Sequence, residues 1–389
     1  MNDVSGKPVK VAVVGLGQRG LQHLRALWKL QDHGDVQIVA LGDAFEGNLT
    51  EAKIAQFVPG FKLEGIPTFT SFDDLYMQAK PEALQIVIPP GFHNGEIVRA
   101  ARDGVHIFAE KPMSLFLDEA IEMDDAIRAA GIIATAGFQR RHEPFSEIAH
   151  EFLKDRRPVL VTSISEGFLE QHSTKHTQTV EQGGPKDKVW AKNAAWSGMS
   201  VVEAGIHQTD LMRYWFGDIA WAQAAYVARA EDDIDDGGDN PYAYTVTFGF
   251  DNGAIGNLLM SRLRRVYRSD EYEVVMWDHG HLRKEDGEAV AYYYDGPYPP
   301  ADRPNPDELR HPLPTPEPRD TTYEINRAFI HAIQTGNEGC MRNTFASSMN
   351  SLAAVLAANV SHSRDGERID LNTFTTSDVY AEYRRRPAR

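Results

Sequence analysis

Gly15-Leu16-Gly17-Gln18-Arg19-Gly20 follows the apolar run VAVV directly and precedes the amphipathic stretch LQHLRALWKL, so the chain opens as a strand, a glycine turn and a helix. At this spacing the first glycine permits a tight turn, the second lets backbone approach a pyrophosphate, and the third lets the helix pack closely on its strand. The helix start, with Gln18 and Arg19 in its first turn, adds free N–H groups and a partial positive charge for phosphates. A glycine-rich turn without any ligand is the competing reading. Asp43 ends VQIVALGD, 23 residues beyond Gly20, where a carboxylate accepts from both ribose hydroxyls of an adenosine and repels a 2'-phosphate. The expected cofactor is therefore NAD rather than NADP.

From Lys10 to about Phe138, short β-branched runs alternate with helical patterns: VQIVALG, ALQIVIPP, VHIFAE and GIIATAG are separated by amphipathic stretches. Strands apolar on both faces and spaced by helices predict a parallel sheet covered on both sides. After Arg141 the runs lengthen into VLVTSISEGFL, YAYTVTFGF and AIGNLLMSRL, the last two flanking the Asn252-Gly253 of a tight hairpin turn. The expectation is an α/β chain with a Rossmann domain over 1–139 and a second α/β domain over 140–389, built on a large, mainly antiparallel open sheet. The proline-rich run Pro297 to Pro318 reads as an extended surface arm.

Composition narrows the function classes. With 56 acidic against 40 basic residues in 389 the formal charge is -16, a repulsive field for any long polyanion, so nucleic acid is not expected as a partner. The one cysteine, Cys340, has no internal disulfide partner, and no Cys/His cluster has metal-ligand spacing. No stretch approaches the roughly 18 to 20 apolar residues of a membrane span, and the amino terminus lacks a signal-peptide core. A cytoplasmic protein without membrane or metal is the expectation.

Two further groups of residues carry chemistry. Lys111, in Ala109-Glu110-Lys111-Pro112, would emerge at the carboxyl end of the strand VHIF, the edge where open α/β sheets bind ligands. Beside a nicotinamide ring and away from water its ammonium form is disfavoured, which suits acid/base work; a surface lysine in a turn is the alternative. MSVVEAGIHQTDLMRYWFG predicts one mostly buried helix with Glu203, His207, Asp210 and Tyr214 on a single face. Such a stripe satisfies its polar groups in a hydroxyl-rich substrate cavity, in an internal hydrogen-bonded cluster, or in water.

In order, GLGQRG, Asp43, IPPGFH, AEKP, GFQRRHEP and EAGIHQTD resemble the Gfo/Idh/MocA oxidoreductases, and NRAFIHAIQTGN and LAAVLAANVSHSRDG extend the likeness. The resemblance implies that Gly15, Gly17 and Gly20 cradle the pyrophosphate, that Asp43 takes the ribose, and that Pro89, His93, Glu110 and Gln139 line the cofactor cleft. It implies Lys111 and His207 at the reacting hydroxyl, and dimers or tetramers formed through the open sheet. Glu203 departs from the family pattern, in which Asp often stands four residues before the histidine.

Between Gln171 and Trp196, Lys175, Lys186, Lys188 and Lys192 face only Glu181 and Asp187, a local positive charge in an acidic chain. With Arg140 and Arg141 it suggests an anionic substituent on the substrate, a solvated loop being the alternative. Trp190 and Trp196 would stack on a sugar ring or pack in the core. The reading that follows is an NAD-dependent oxidoreductase acting on a secondary alcohol of a sugar, sugar acid or cyclitol. Lys111 and His207 share the proton, while Glu203 and Asp210 orient His207 or bind hydroxyls. The alternatives are glycoside cleavage with NAD as a recycled catalyst, on an anionic sugar, and a non-catalytic NAD- and sugar-binding sensor.

Overall fold

A computed structural model describes residues 7–168, 190–234, 238–264, 266 and 269–387. The first apolar runs form a six-stranded parallel sheet: β1 (Val9–Val14), β2 (Val36–Gly42), β3 (Thr68–Phe69), β4 (Ala83–Ile86), β5 (His106–Ala109) and β6 (Ala134–Ala136). Their order is β3-β2-β1-β4-β5-β6, so the winding direction reverses between β1 and β4 and leaves a crevice beyond their carboxyl ends. Val11, Ala12 and Val13 of β1 are all buried, as strands covered on both faces must be. Helix Gln18–Asp32 buries Leu21, Leu24, Leu27 and Leu30 at steps of three against this sheet, each contributing about 2 kcal/mol relative to exposure. It ends where Gly34 takes φ +84°.

The second sheet has nine strands in the order β14-β13-β12-β11-β7-β10-β9-β8-β15: β7 (Pro158–Phe168), β8 (Ile219–Val227), β9 (Ala243–Phe250), β10 (Ile255–Leu263), β11 (Asp270–Trp277), β12 (Gly280–Glu285), β13 (Glu288–Tyr293), β14 (Arg310–Leu313) and β15 (Ile369–Asp370). Only β7 and β10 pair in parallel. The hairpin between β9 and β10 turns at Gly253, φ +85°. The proline-rich arm adds β14 at the sheet edge, where Pro312 costs no interior hydrogen bond. Helix Phe345–Ser363 packs on β8 and buries Leu352, Val355 and Leu356. On the opposite face Val227, Leu259 and Tyr272 are exposed.

Two features depart from the sequence reading. Helix Thr321–Thr335, far along the chain, packs on helix Gln18–Asp32, and its Ile325, Phe329 and Ile330 complete the core of the first sheet. The single helix expected over 199–216 is two, Met199–Glu203 and Gly205–Phe216, interrupted at Ala204.

Candidate functional site

The glycine turn has the shape of a phosphate cradle. Gly15 takes φ +91°, and a Cβ there would lie 2.1 Å from the Val87 carbonyl oxygen; one on Gly20 would lie 1.8 Å from the Gly15 oxygen. Neither position accepts a side chain. Around Gly17, in contrast, no atom beyond its immediate chain neighbours lies within 4 Å of where a Cβ would stand. Gly17 caps helix Gln18–Asp32 without any side-chain hydrogen bond, and the first turn holds no acidic residue, an arrangement that suits an anion at the helix start. The residues present fit a dinucleotide's pyrophosphate.

Asp43 stands across the turn. Its Oδ2 accepts from the Leu16 amide at 2.7 Å, and its Oδ1 from Phe45 N at 2.9 Å and Asn48 Nδ2 at 3.0 Å. Lys53, nearly fully buried, donates to Asn48 Oδ1, and burial lowers its pKa against the pull of Asp43. Three donors on one carboxylate fix its direction and leave room for a further hydroxyl.

The Glu110 and His93 side chains are buried behind the cleft. Glu110 Oε1 accepts from Arg19 Nε and from His23 Nε2, both at 2.7 Å, and its Oε2 takes the Lys111 amide at 2.9 Å. Burial would raise the Glu110 carboxyl, but Arg19 and then His23 hold it well below the usual carboxylate range; burial and Arg19 lower His23 in turn. The network runs on through Gln85 and Asn326. A Cβ on Gly137 would lie 2.5 Å from the Glu110 carboxyl carbon, so this glycine, unremarked in the sequence although inside the GFQRRHEP motif, makes room for the network. His93 is buried on Glu96. Pro89 is half-buried at the entry to the loop that contains it, and Gln139 keeps a shielded Oε1 without a hydrogen-bond partner among the described residues.

Lys111, Glu203 and His207 come together. Lys111 Nζ donates to the Glu203 carbonyl oxygen at 2.7 Å and to Glu203 Oε1 at 3.2 Å. The helix break explains the first contact: His207 N turns to Ala204 O at 3.1 Å, which leaves the Glu203 carbonyl to the lysine. His207 lies edge-on to Phe138, and its shielded Nδ1 has no hydrogen-bond partner among the described residues. Burial first, then the Lys111 and Arg140 charges, push its pKa well below the ordinary histidine value, so the ring is neutral at neutral pH.

The rest of the expected polar stripe turns away. Asp210 is buried and accepts from Arg141 Nε and Nη2, each at 2.7 Å, and from Ser351 Oγ at 2.9 Å. Asp210 and Arg141, expected at the substrate, are thus drawn into an internal pair, because two charges so far from water must satisfy each other. Tyr214 stacks on His150. Arg140 meets Glu143 at 2.9 Å, Glu271 at 3.0 Å and Glu273 at 3.4 Å. Burial raises the Glu273 carboxyl in spite of Arg140.

Beyond Glu203 opens a cavity of about 220 Å³ walled by Ser165, Lys192, Ser200, Glu203, Arg262 and Glu271, among others. Glu271, which also accepts from Gln208 Nε2 at 3.2 Å, was not singled out in the sequence, since a lone glutamate in a strand has no local signature. Trp196 meets Phe92 edge-on at 6.2 Å. Lys175, Lys186 and Lys188 lie outside the described residues. Among the described residues no group of three or more metal-ligating side chains occurs, and no helix is long and apolar enough to cross a membrane.

Comparison with known proteins adds to this geometry. Residues 9–138 match the family described as oxidoreductase family, NAD-binding Rossmann fold, and residues 165–280 that described as GFO/IDH/MocA C-terminal domain. Scyllo-inositol 2-dehydrogenase (NAD(+)) of Bacillus subtilis (strain 168) is 26% identical over 257 residues, 65% of this chain and 67% of that protein. Myo-inositol 2-dehydrogenase of Thermotoga maritima is 26% identical over 275 residues, 70% of this chain and 74% of that protein. Among solved structures, levoglucosan dehydrogenase in complex with NADH has the same fold, with a TM-score of 0.75 at 16% identity over 94% of this chain and 99% of the other.

Proposed function

Since this chain belongs to the Gfo/Idh/MocA family of NAD-dependent oxidoreductases, we propose that it oxidises a secondary alcohol of a sugar, sugar acid or cyclitol. The observation that carries the proposal is Lys111 Nζ held on Glu203 beside a neutral His207, next to a cavity of monosaccharide scale. In this reading the amides at Gly17, Gln18 and Arg19 hold the pyrophosphate, Asp43 takes the ribose, and Pro89 and Gln139 border the nicotinamide end. Bound NAD supplies the hydride acceptor.

The protein's own residues handle the proton. The neutral His207 imidazole accepts the hydroxyl proton as the C–H bond breaks, and Lys111 Nζ donates to the oxygen on which negative charge grows. Glu203, by holding Lys111 through two oxygens, aims it. Glu271 and Glu166, with Glu203, give a polyol acceptors for its hydroxyls, and Lys192 and Arg262 line the same cavity. The partly apolar face of the second sheet opposite helix Phe345–Ser363 suits pairing with another copy of the chain.

A panel of neutral and anionic sugars, cyclitols and glycosides, offered with NAD while NADH and released aglycone are both followed, tests the proposal. NADH is expected to accumulate in proportion to the oxidised product. Aglycone release over many turnovers without net NADH would instead establish redox-neutral glycoside cleavage, and NAD binding without either product a sensor. In the same assay Asp43→Ser is expected to narrow a preference for NAD over NADP by roughly tenfold or more, as a carboxylate facing a 2'-phosphate is removed. An unchanged ratio would detach Asp43 from the ribose.

A further inference from the structure

The loop Val87–His93 follows β4 and forms the wall of the crevice opposite the glycine turn, with the Val87 carbonyl against Gly15. It also reaches the second domain, since Phe92 meets the Trp196 ring. The loop has little hydrogen bonding of its own: within it the backbone makes one bond, Phe92 N to Pro89 O at 3.0 Å. Phe92 is exposed. Val87 N is tied to Val14 O at 2.8 Å at one end and the His93 side chain to Glu96 at the other, so the stretch between them depends on further contacts for its position.

Residues 384–386, almost three hundred positions later, lie against it. Arg386 Nη1 donates to the Gly91 carbonyl at 2.9 Å and Nη2 to the His93 carbonyl at 3.0 Å, and the same guanidinium pairs with Glu119 at 2.8 Å. Its carbon lies 4.8 Å from the centre of the Phe116 ring. Arg384 anchors the segment on the Asp118 carboxylate at 2.7 Å and on the carbonyls of Phe374 and Ser377. Arg385, by contrast, is largely exposed and reaches only Asp118, at 3.4 Å.

We propose that Arg386 is a positioning residue for the cofactor: its planar fork ties the two carbonyls of the crevice wall to the helix Leu117–Ala130 and so pre-forms the NAD site. A guanidinium suits this task because its donors lie in a rigid planar fork, whereas the three donors of an ammonium share one nitrogen. The inference rests on the reading of the crevice as the NAD site. It concerns binding and not chemistry, since Arg386 meets none of Lys111, Glu203 or His207. A wall fixed before the cofactor arrives spares the ordering cost on binding.

The test uses the full-length protein and NAD alone, by titration calorimetry, alongside steady-state kinetics on the best substrate of the panel. Arg386→Ala is expected to weaken NAD binding about tenfold and raise the KM for NAD by a similar factor, with kcat within twofold of the parent. Arg386→Lys is expected to fall between the two, and Arg385→Ala to bind as the parent does. NAD affinity within twofold of the parent in Arg386→Ala overturns the proposal, as does an equal loss in Arg385→Ala, which would make total charge the cause. Should Arg386→Ala fail to fold, Arg386→Lys decides alone, and parental affinity overturns the idea. A parent that binds no NAD would refute the reading of the crevice itself and is distinguishable from all of these.

Discussion

Replacing Lys111 with Ala is expected to lower kcat by about 10² to 10⁴, the usual effect of losing a positioned acid/base group, while NAD still binds. The pH profile of the residual activity carries a more specific signature. Lys111 is the first of the charges that depress His207, after burial. Removing it relieves that depression, so the pKa of His207 rises and the acid limb of kcat/KM, where protonated imidazole no longer accepts a proton, moves to higher pH. A profile that keeps its shape and position would separate Lys111 from His207 electrostatically. Turnover near the parental level would remove Lys111 from the chemistry altogether.

Asp210→Ala is expected to cost about 3 to 5 kcal/mol of folding stability, because it strands the Arg141 guanidinium in the interior. Denaturant unfolding measures this as a lower midpoint at unchanged slope. Double replacement of both charges by apolar residues of similar size should recover part of the loss, since it leaves no unpaired charge. If Asp210→Ala were as stable as the parent and only raised the KM for the sugar, the residue would belong to the substrate cavity, as the spacing along the chain first suggested.

Spacing misled at Asp210 for a definite reason. A helical face read from sequence assumes one continuous helix and one environment along it. The break at Ala204 turns Glu203 and His207 toward Lys111, while Asp210 and Tyr214 meet Arg141 and His150 on the next turns. Nothing in VVEAGIHQ marks that break, since neither Pro nor a second Gly accompanies Gly205. The glycine turn was legible because backbone geometry admits no other residue at Gly15 and Gly20, and the alternating apolar runs announced the parallel sheet. Glu271 and Arg386 were not, because each meets partners distant in the chain, Gln208 lying 63 residues from Glu271 and Gly91 295 from Arg386. The partners of the Glu110 carboxylate were equally hidden: a glutamate beside Lys111 reads as cleft lining, and only the packing of Arg19 and His23 makes it an internal anchor.

The return of helix Thr321–Thr335 to the first sheet bears on how the polypeptide reaches its native state. Phe329 packs edge-on against Phe108, and Asn326 closes the hydrogen bonds of His23 and Gln85, groups some three hundred and two hundred and forty residues earlier. During synthesis the nucleotide-binding half therefore emerges with one apolar flank and one buried polar network unfinished, and stays so until most of the second sheet has left the ribosome. Closing such a long loop costs little more than closing a medium one, because the entropy grows only with the logarithm of its length. The penalty is kinetic, a long-range contact that must be found late. The two halves are thus interlocked in time: the first half to be made stays incomplete until helix Thr321–Thr335, late in the chain, emerges and seals it.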